Sequence, residues 1–139
     1  MADEHKLEAQ VLTPEGPVFE GDLFMLSTRT AVGEVGVRAR HAPMIARLVP
    51  CELRLHDSES GEPERYAQGE GWMEVFANRA RVLVAEVKAP GDLDLSELKS
   101  RLDEAQQRAE EAEEGSAAEE TAQREVARCE AFIRIAESS

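Results

Sequence analysis

Basic residues are scarce in this chain, and their scarcity bounds its partners first. Across 139 residues, 16 Lys and Arg stand against 29 Asp and Glu, a formal net charge of −13. A surface that holds phosphates needs surplus cations, so no nucleic-acid partner is expected. Long apolar runs are also missing. Nothing approaches the roughly 20 residues that cross a bilayer as a helix, and the stretch MADEHKLEA has no hydrophobic signal core. The expectation is a cytoplasmic chain with no membrane insertion of its own. Cysteine is limited to Cys51 and Cys129, too few for a disulfide framework. Both occupy apolar positions and read as small reduced core residues. Histidine occurs only at His5, His41 and His56, at no metal-ligand spacing. A phosphate-binding loop and a nucleophile elbow are absent. No catalytic residue, metal or cofactor is therefore expected.

What is present divides at Pro90-Gly91, because proline stops there and glycine recurs only at Gly115. The expected domains are residues 1–89 and 90–139. Before the boundary the hydrophobic period is two. Leu7, Ala9 and Val11 alternate with Glu8 and Gln10, and Cys51, Leu53 and Leu55 alternate with Glu52 and Arg54. Pro14-Glu15-Gly16-Pro17, Gly33–Gly36, Ser60-Gly61 and Gly69-Glu70-Gly71 punctuate the run, and a last hairpin closes around Asn78-Arg79. Pro43–Val49 fits a helical turn or a strand. Many short strands with frequent turns read as a flattened β-sandwich or barrel. Near-continuous apolar character over Val82–Val87 suggests a strand covered on both faces, one cover being another subunit or both belonging to the sandwich. Trp72 and Phe76 share one strand face, either inside the core or as an interface anchor.

After the boundary the period changes to that of a helix. Asp94 with Glu97, and Ser116 with Glu119, form capping boxes at two helix starts. Leu98, Leu102, Ala105, Ala109 and Ala112 line one face of the first helix. Ala122, Val126, Cys129, Ile133 and Ala136 line one face of the second. With Gly115 between them, the two fold back antiparallel or run on as one rod. An alanine-rich seam buries little area, about 0.8 kcal/mol per buried carbon. Keeping glycine inside a continuous helix costs roughly 1 kcal/mol. Neither state wins by much. The acidic runs Glu110–Glu114 and Glu119-Glu120 read as solvated faces.

The remaining signal is Thr30-Ala31-Val32-Gly33-Glu34-Val35-Gly36-Val37 followed by Arg40-His41-Ala42-Pro43. Glycines at 33 and 36 allow a sharp corner that lifts Glu34 to a tip. Taken alone, this is an ordinary strand-to-strand corner or a binding loop. With Val11-Leu12-Thr13-Pro14-Glu15-Gly16 before it and Asn78-Arg79-Ala80-Arg81-Val82-Leu83-Val84-Ala85-Glu86 after it, the chain from Leu7 to Val87 resembles the epsilon subunit of the F-type ATP synthase.

That resemblance implies a non-catalytic rotor subunit: a β-sandwich bound to the gamma subunit and seated on the ring of c subunits, then a helical hairpin. It implies that Thr30, Gly33, Glu34 and His41 belong to the loop facing the c ring. It also implies a hairpin that opens, enters among the alpha and beta subunits and stops ATP hydrolysis. Arg124, Arg128 and Arg134 are the cations available to an acidic loop of beta, or they balance Glu125 and Glu130 in solvent. The implied location is the cytoplasmic face of the plasma membrane, as a peripheral part of a proton-translocating synthase. Some members bind ATP at the start of the first helix through an arginine. Here Glu97 replaces the expected Arg, and an acid repels a triphosphate. Asp94 then reads as a helix cap, and no nucleotide site is expected. Two competitors from other classes are a free-standing adaptor or nucleotide sensor, and a small hydrolase pairing His41 with Glu34.

Overall fold

Alternating apolar and polar residues build strands wherever a turn sequence lets the chain reverse. The structure is a computed structural model that describes residues 5–138. Among these residues lie β1 (Leu7–Thr13), β2 (Gly16–Leu23), β3 (Met25–Thr30), β4 (Gly33–Arg38) and β5 (Met44–Leu48). They are followed by β6 (Cys51–His56), β7 (Glu64–Gln68), β8 (Gly71–Phe76), β9 (Arg79–Val84) and β10 (Val87–Lys88). A short 3-10 turn at Pro90–Asp92 leads to α1 (Leu95–Glu111) and α2 (Ala117–Glu137). The chain divides into two compact units that meet at Lys88 and Ala89.

The strands form two layers of a β-sandwich. One runs β10-β7-β6-β3-β4 and the other β5-β8-β9-β1-β2. They join through a single pairing, Thr30 with Leu48, between β3 and β5. Neighbours are antiparallel except β1 and β9, which run parallel. Inward residues of both layers make one core, including Leu26, Val37, Leu53 and Leu55 from the first layer and Leu7, Val11, Met73 and Val82 from the second. Two of the buried polar side chains, Thr28 and Gln68, are satisfied together. Thr28 Oγ1 donates to Gln68 Oε1 at 2.6 Å, and Gln68 Nε2 donates to the Val49 carbonyl at 3.2 Å.

Of the two readings open for residues 43–49, the strand holds over residues 44–48, because β8 pairs with them along their whole length. Other details differ from the sequence-based expectation. The β3–β4 reversal sits at Ala31-Val32, two residues before the expected corner, since Gly33 takes φ +139 and Thr30 Oγ1 accepts from the Val32 amide. The last hairpin turns at Ala77-Asn78, both at positive φ as a two-residue turn between twisted strands requires. Within this chain, residues 82–84 are covered on one face. Leu83 points outward and is 44% exposed, while Val82 and Val84 are buried.

In the second unit, Asp94 accepts from the Glu97 amide at 3.1 Å and Ser116 from the Glu119 amide at 3.2 Å, so both capping residues act as expected. Glu119 Oε1 reaches back to accept from the Gly115 amide. The two helices pack on each other as a hairpin. The connection runs over residues 112–116, because α1 ends at Glu111 with Ala112 as its cap and Gly115 turns the chain at φ +78. Leu98 and Ala105 are buried on α1; Ala122, Cys129 and Ile133 are buried on α2, together with Ala131, Phe132 and Ile135. The periodic pattern missed those last three, which lie off the single stripe that it traced.

Candidate functional site

Three of the residues singled out from sequence come together at one end of the sandwich. Thr30 closes β3, Gly33 opens β4 directly opposite it, and Glu34 pairs across the hairpin with Arg29. Thr30 Oγ1 also donates to the Gly33 carbonyl at 2.9 Å, which pins the turn from both sides. Between them Val32 stands at the extreme tip, 97% exposed. The Glu34 carboxylate lies 3.3 Å from the Arg29 guanidinium, and both side chains are largely in solvent. Such an exposed pair contributes about 0.2–1 kcal/mol at most, leaving Glu34 available to exchange partners.

His41 is elsewhere. β4 carries the chain roughly 13 Å from Glu34 to Arg38 at about 3.3 Å per residue, and His41 lies beyond the next turn, where its amide donates to the Arg38 carbonyl. His41 Nδ1 is engaged with the Ala42 carbonyl at 2.7 Å. A couple between His41 and Glu34 is therefore not formed, and the hydrolase reading loses its acid and base. Spacing along the sequence could not reveal this, because seven residues span either a compact loop or a full strand.

The outer face of the second layer holds what the sequence left open. On β8, Met73 and Val75 turn inward, so Trp72, Glu74 and Phe76 turn outward. Register places Trp72 opposite Leu83 on β9 and Arg47 on β5, with Ile45 beside Glu74. Trp72 is 54% exposed, Phe76 64% and Ile45 75%. Val18 on β2 is exposed as well, and the first layer contributes none of the exposed large apolar residues except Val32 at its turn. Trp72 and Phe76 thus do not fill the core. The signal was present in β8 itself, where apolar side chains occupy both faces of the strand.

Among the helical candidates, Asp94 and Glu97 are occupied by the helix start. Asp94 caps it, and Glu97 pairs with Arg101 one turn on at 3.0 Å. Arg124 and Arg134 are exposed on α2. Arg128 is held between Glu125, at 3.2 Å, and the Phe132 ring, at 4.8 Å. Cys129 beside them is buried, and burial together with the Glu125 carboxylate pushes its thiol up to about 11. Cys51 is half-buried against Thr28, and burial raises its thiol too. Neither sulfur has the character of a reactive thiolate. Among the described residues no group of three or more His, Cys, Asp or Glu is gathered in metal-binding geometry. No described helix is long and apolar enough to cross a membrane.

Comparison with known proteins adds to this geometry. Residues 6–90 match the family described as ATP synthase, Delta/Epsilon chain, beta-sandwich domain. An ATP synthase epsilon chain of Persephonella marina is 34% identical over 128 residues, covering 91% of this chain and 93% of the relative. One from Halalkalibacterium halodurans is 32% identical over 108 residues, covering 78% and 80%. Among solved structures, a chain in the Euglena gracilis mitochondrial ATP synthase superposes with a TM-score of 0.79 at 19% identity, covering 95% of this chain and 82% of that one. At that identity the likeness is one of fold.

Proposed function

The chain belongs to the delta/epsilon family of ATP synthase subunits, and from that premise we propose that it is the epsilon-type rotor subunit of a proton-translocating F-type synthase. It makes and breaks no bond itself. It links the gamma subunit to the c ring, so that proton-driven rotation reaches the catalytic alpha and beta subunits. The complex places it on the cytoplasmic face of the plasma membrane, held there by its partners.

One observation carries this reading: Ile45, Trp72, Phe76 and Leu83 leave the outer face of the second layer apolar and open. Patches of aromatic and aliphatic side chains rimmed by charge are protein-binding surfaces. Arg47 and Arg79 flank Trp72 and Phe76 on this face, and Glu74 and Arg81 pair in the row between them. This face docks gamma. The turn of Thr30, Gly33 and Glu34 meets the polar loops of the c ring, and His41 lies apart from that contact. The C-terminal hairpin is the regulatory element, with Arg124, Arg128 and Arg134 facing beta once it opens. Asp94 and Glu97 serve the helix start and hold no nucleotide.

Binding to the catalytic head that carries gamma tests the docking face. A central buried aromatic costs about 2 kcal/mol or more on truncation, about 30-fold in affinity. Trp72→Ala is expected to weaken the complex by that factor. Equal affinity for both proteins would remove the face from gamma.

A further inference from the structure

The corner where the two layers meet is held from inside by side chains. Thr30 stands opposite Leu48 and Ser27 opposite Arg54, so three steps along β3 answer six along residues 48–54. The backbone ladder lapses in between, as it does where a strand bends from one sheet into another. Pro50 has no amide with which to restore it. A buried run of side chains fills the gap. Gln68, at 0% exposure, closes β7 just before Gly69-Glu70-Gly71 carries the chain into β8. Its Nε2 donates to the Val49 carbonyl at 3.2 Å, and its Oε1 accepts from Thr28 Oγ1 at 2.6 Å. With that hydroxyl proton spent, the 3.4 Å contact between Thr28 Oγ1 and Cys51 Sγ has the thiol as donor.

Apolar side chains would fill this volume with nothing to satisfy, and a buried amide costs free energy unless it is hydrogen-bonded. A satisfied buried network gives something that they do not: it fixes one arrangement of the elements it joins. Here those elements are the tip and the second layer. The β3–β4 hairpin, which carries Thr30, Gly33 and Glu34, is bonded to that layer through the Thr30–Leu48 pair and two backbone bonds beside it. The Ala31 amide donates to the Arg47 carbonyl at 2.9 Å, and the Val49 amide to the Arg29 carbonyl at 3.2 Å. Val49 thus has its amide on the hairpin and its carbonyl on Gln68. We propose that Thr28 and Gln68 are positioning residues that lock the acidic tip to the layer bearing Trp72 and Phe76, so that both turn as one body under load. This role rests on the docking reading above, since torque has to cross from the tip to the face that binds gamma.

Amide hydrogen exchange of the full chain reads the lock directly, because local opening frees a few amides and global unfolding frees them all. Thr28→Val with Gln68→Met keeps the shape and removes both polar partners, a change that leaves global stability nearly unaltered. In this double variant the Ala31 and Val49 amides are expected to exchange about fivefold faster, and those of β9 at the unaltered rate. Thr28→Val alone, which disturbs the core least, should show the same local acceleration. Thr28→Ser keeps the hydroxyl and should exchange like the unaltered chain. In synthase assembled in inverted vesicles, the double variant should hold gamma with unchanged affinity and lose part of its proton pumping per ATP hydrolysed. Unchanged exchange at Ala31 and Val49, or an acceleration shared by β9, would overturn the lock. Local acceleration with pumping undiminished would overturn its part in coupling while leaving the docking face in place. Failure of the unaltered chain to bind gamma would remove the docking face, and the positioning role with it.

Discussion

At the level of single residues, two carboxylates illustrate how place decides use. Glu34 is exposed beside Arg29 at a tip, while Glu52 is mostly buried between Arg65 and Arg54 on the outer side of the first layer. The Arg65 guanidinium holds the Glu52 carboxyl below the ordinary range, with Arg54 adding to it. A depressed carboxylate stabilises the fold above its unfolded value, and that contribution is lost as pH falls through the folded value. Glu52→Gln should therefore cost about 0.5–1 kcal/mol at pH 7. In urea titrations the gap to the unaltered protein should close as pH drops below about 4.5, the unfolded range of glutamate. A gap that stays constant with pH would rule out this pair as a source of acid sensitivity. Glu34→Ala should cost no more than about 1 kcal/mol of stability and weaken coupling of ATP hydrolysis to proton pumping in inverted vesicles, about fivefold at most for one exposed charge contact. Undiminished pumping would take Glu34 out of the c-ring contact. That Thr30, Gly33 and Glu34 are neighbours is a local fact of the hairpin, whereas the place of His41 depends on where β4 ends, which nothing local in the sequence says.

Among the elements, those with a chemical signal at both ends were the most legible. Asp94 and Ser116 mark helix starts because their oxygens satisfy amides that the helix cannot. The strand at residues 44–48 was not legible, since its pairing with β8 is a long-range fact. The outward side of β8 was equally open, as alternation separates two faces without saying which one meets water. The proposed opening of the hairpin turns on Gly115. Its φ of +78 suits glycine in the hairpin turn, and alanine there costs about 1 kcal/mol. In a continuous helix the same replacement gains about 1 kcal/mol. Gly115→Ala should thus shift the balance toward the extended rod by about 2 kcal/mol, roughly 30-fold. Spin labels on the outer faces of α1 and α2 would report a long-distance population absent from the unaltered chain. An unchanged distance distribution would mean that packing of Phe132, Ile133 and Ile135, rather than the turn, sets the state.

Across the whole molecule, the two units carry different physics. The sandwich core draws on β1 to β9 and needs nothing from the helices, so its fold is expected to survive their loss. The two helices pack on each other, α1 burying Leu98 and Ala105 and α2 burying Phe132, Ile133 and Ile135 among others. Removing everything after Gly91 should therefore leave the docking face and the tip at Glu34 intact. The shortened chain should join the synthase and support ATP synthesis. ATP hydrolysis by the same complex should rise by about fivefold, the low end of the coupling free energies that regulatory domains exert. The two readouts separate the causes. A rise in hydrolysis with pumping preserved assigns inhibition to the hairpin, whereas a rise with pumping lost means that the complex has come apart at the stalk. If hydrolysis stays level in a coupled complex, the helices have no regulatory role, and Arg124 and Arg134 serve only to balance the acids around them.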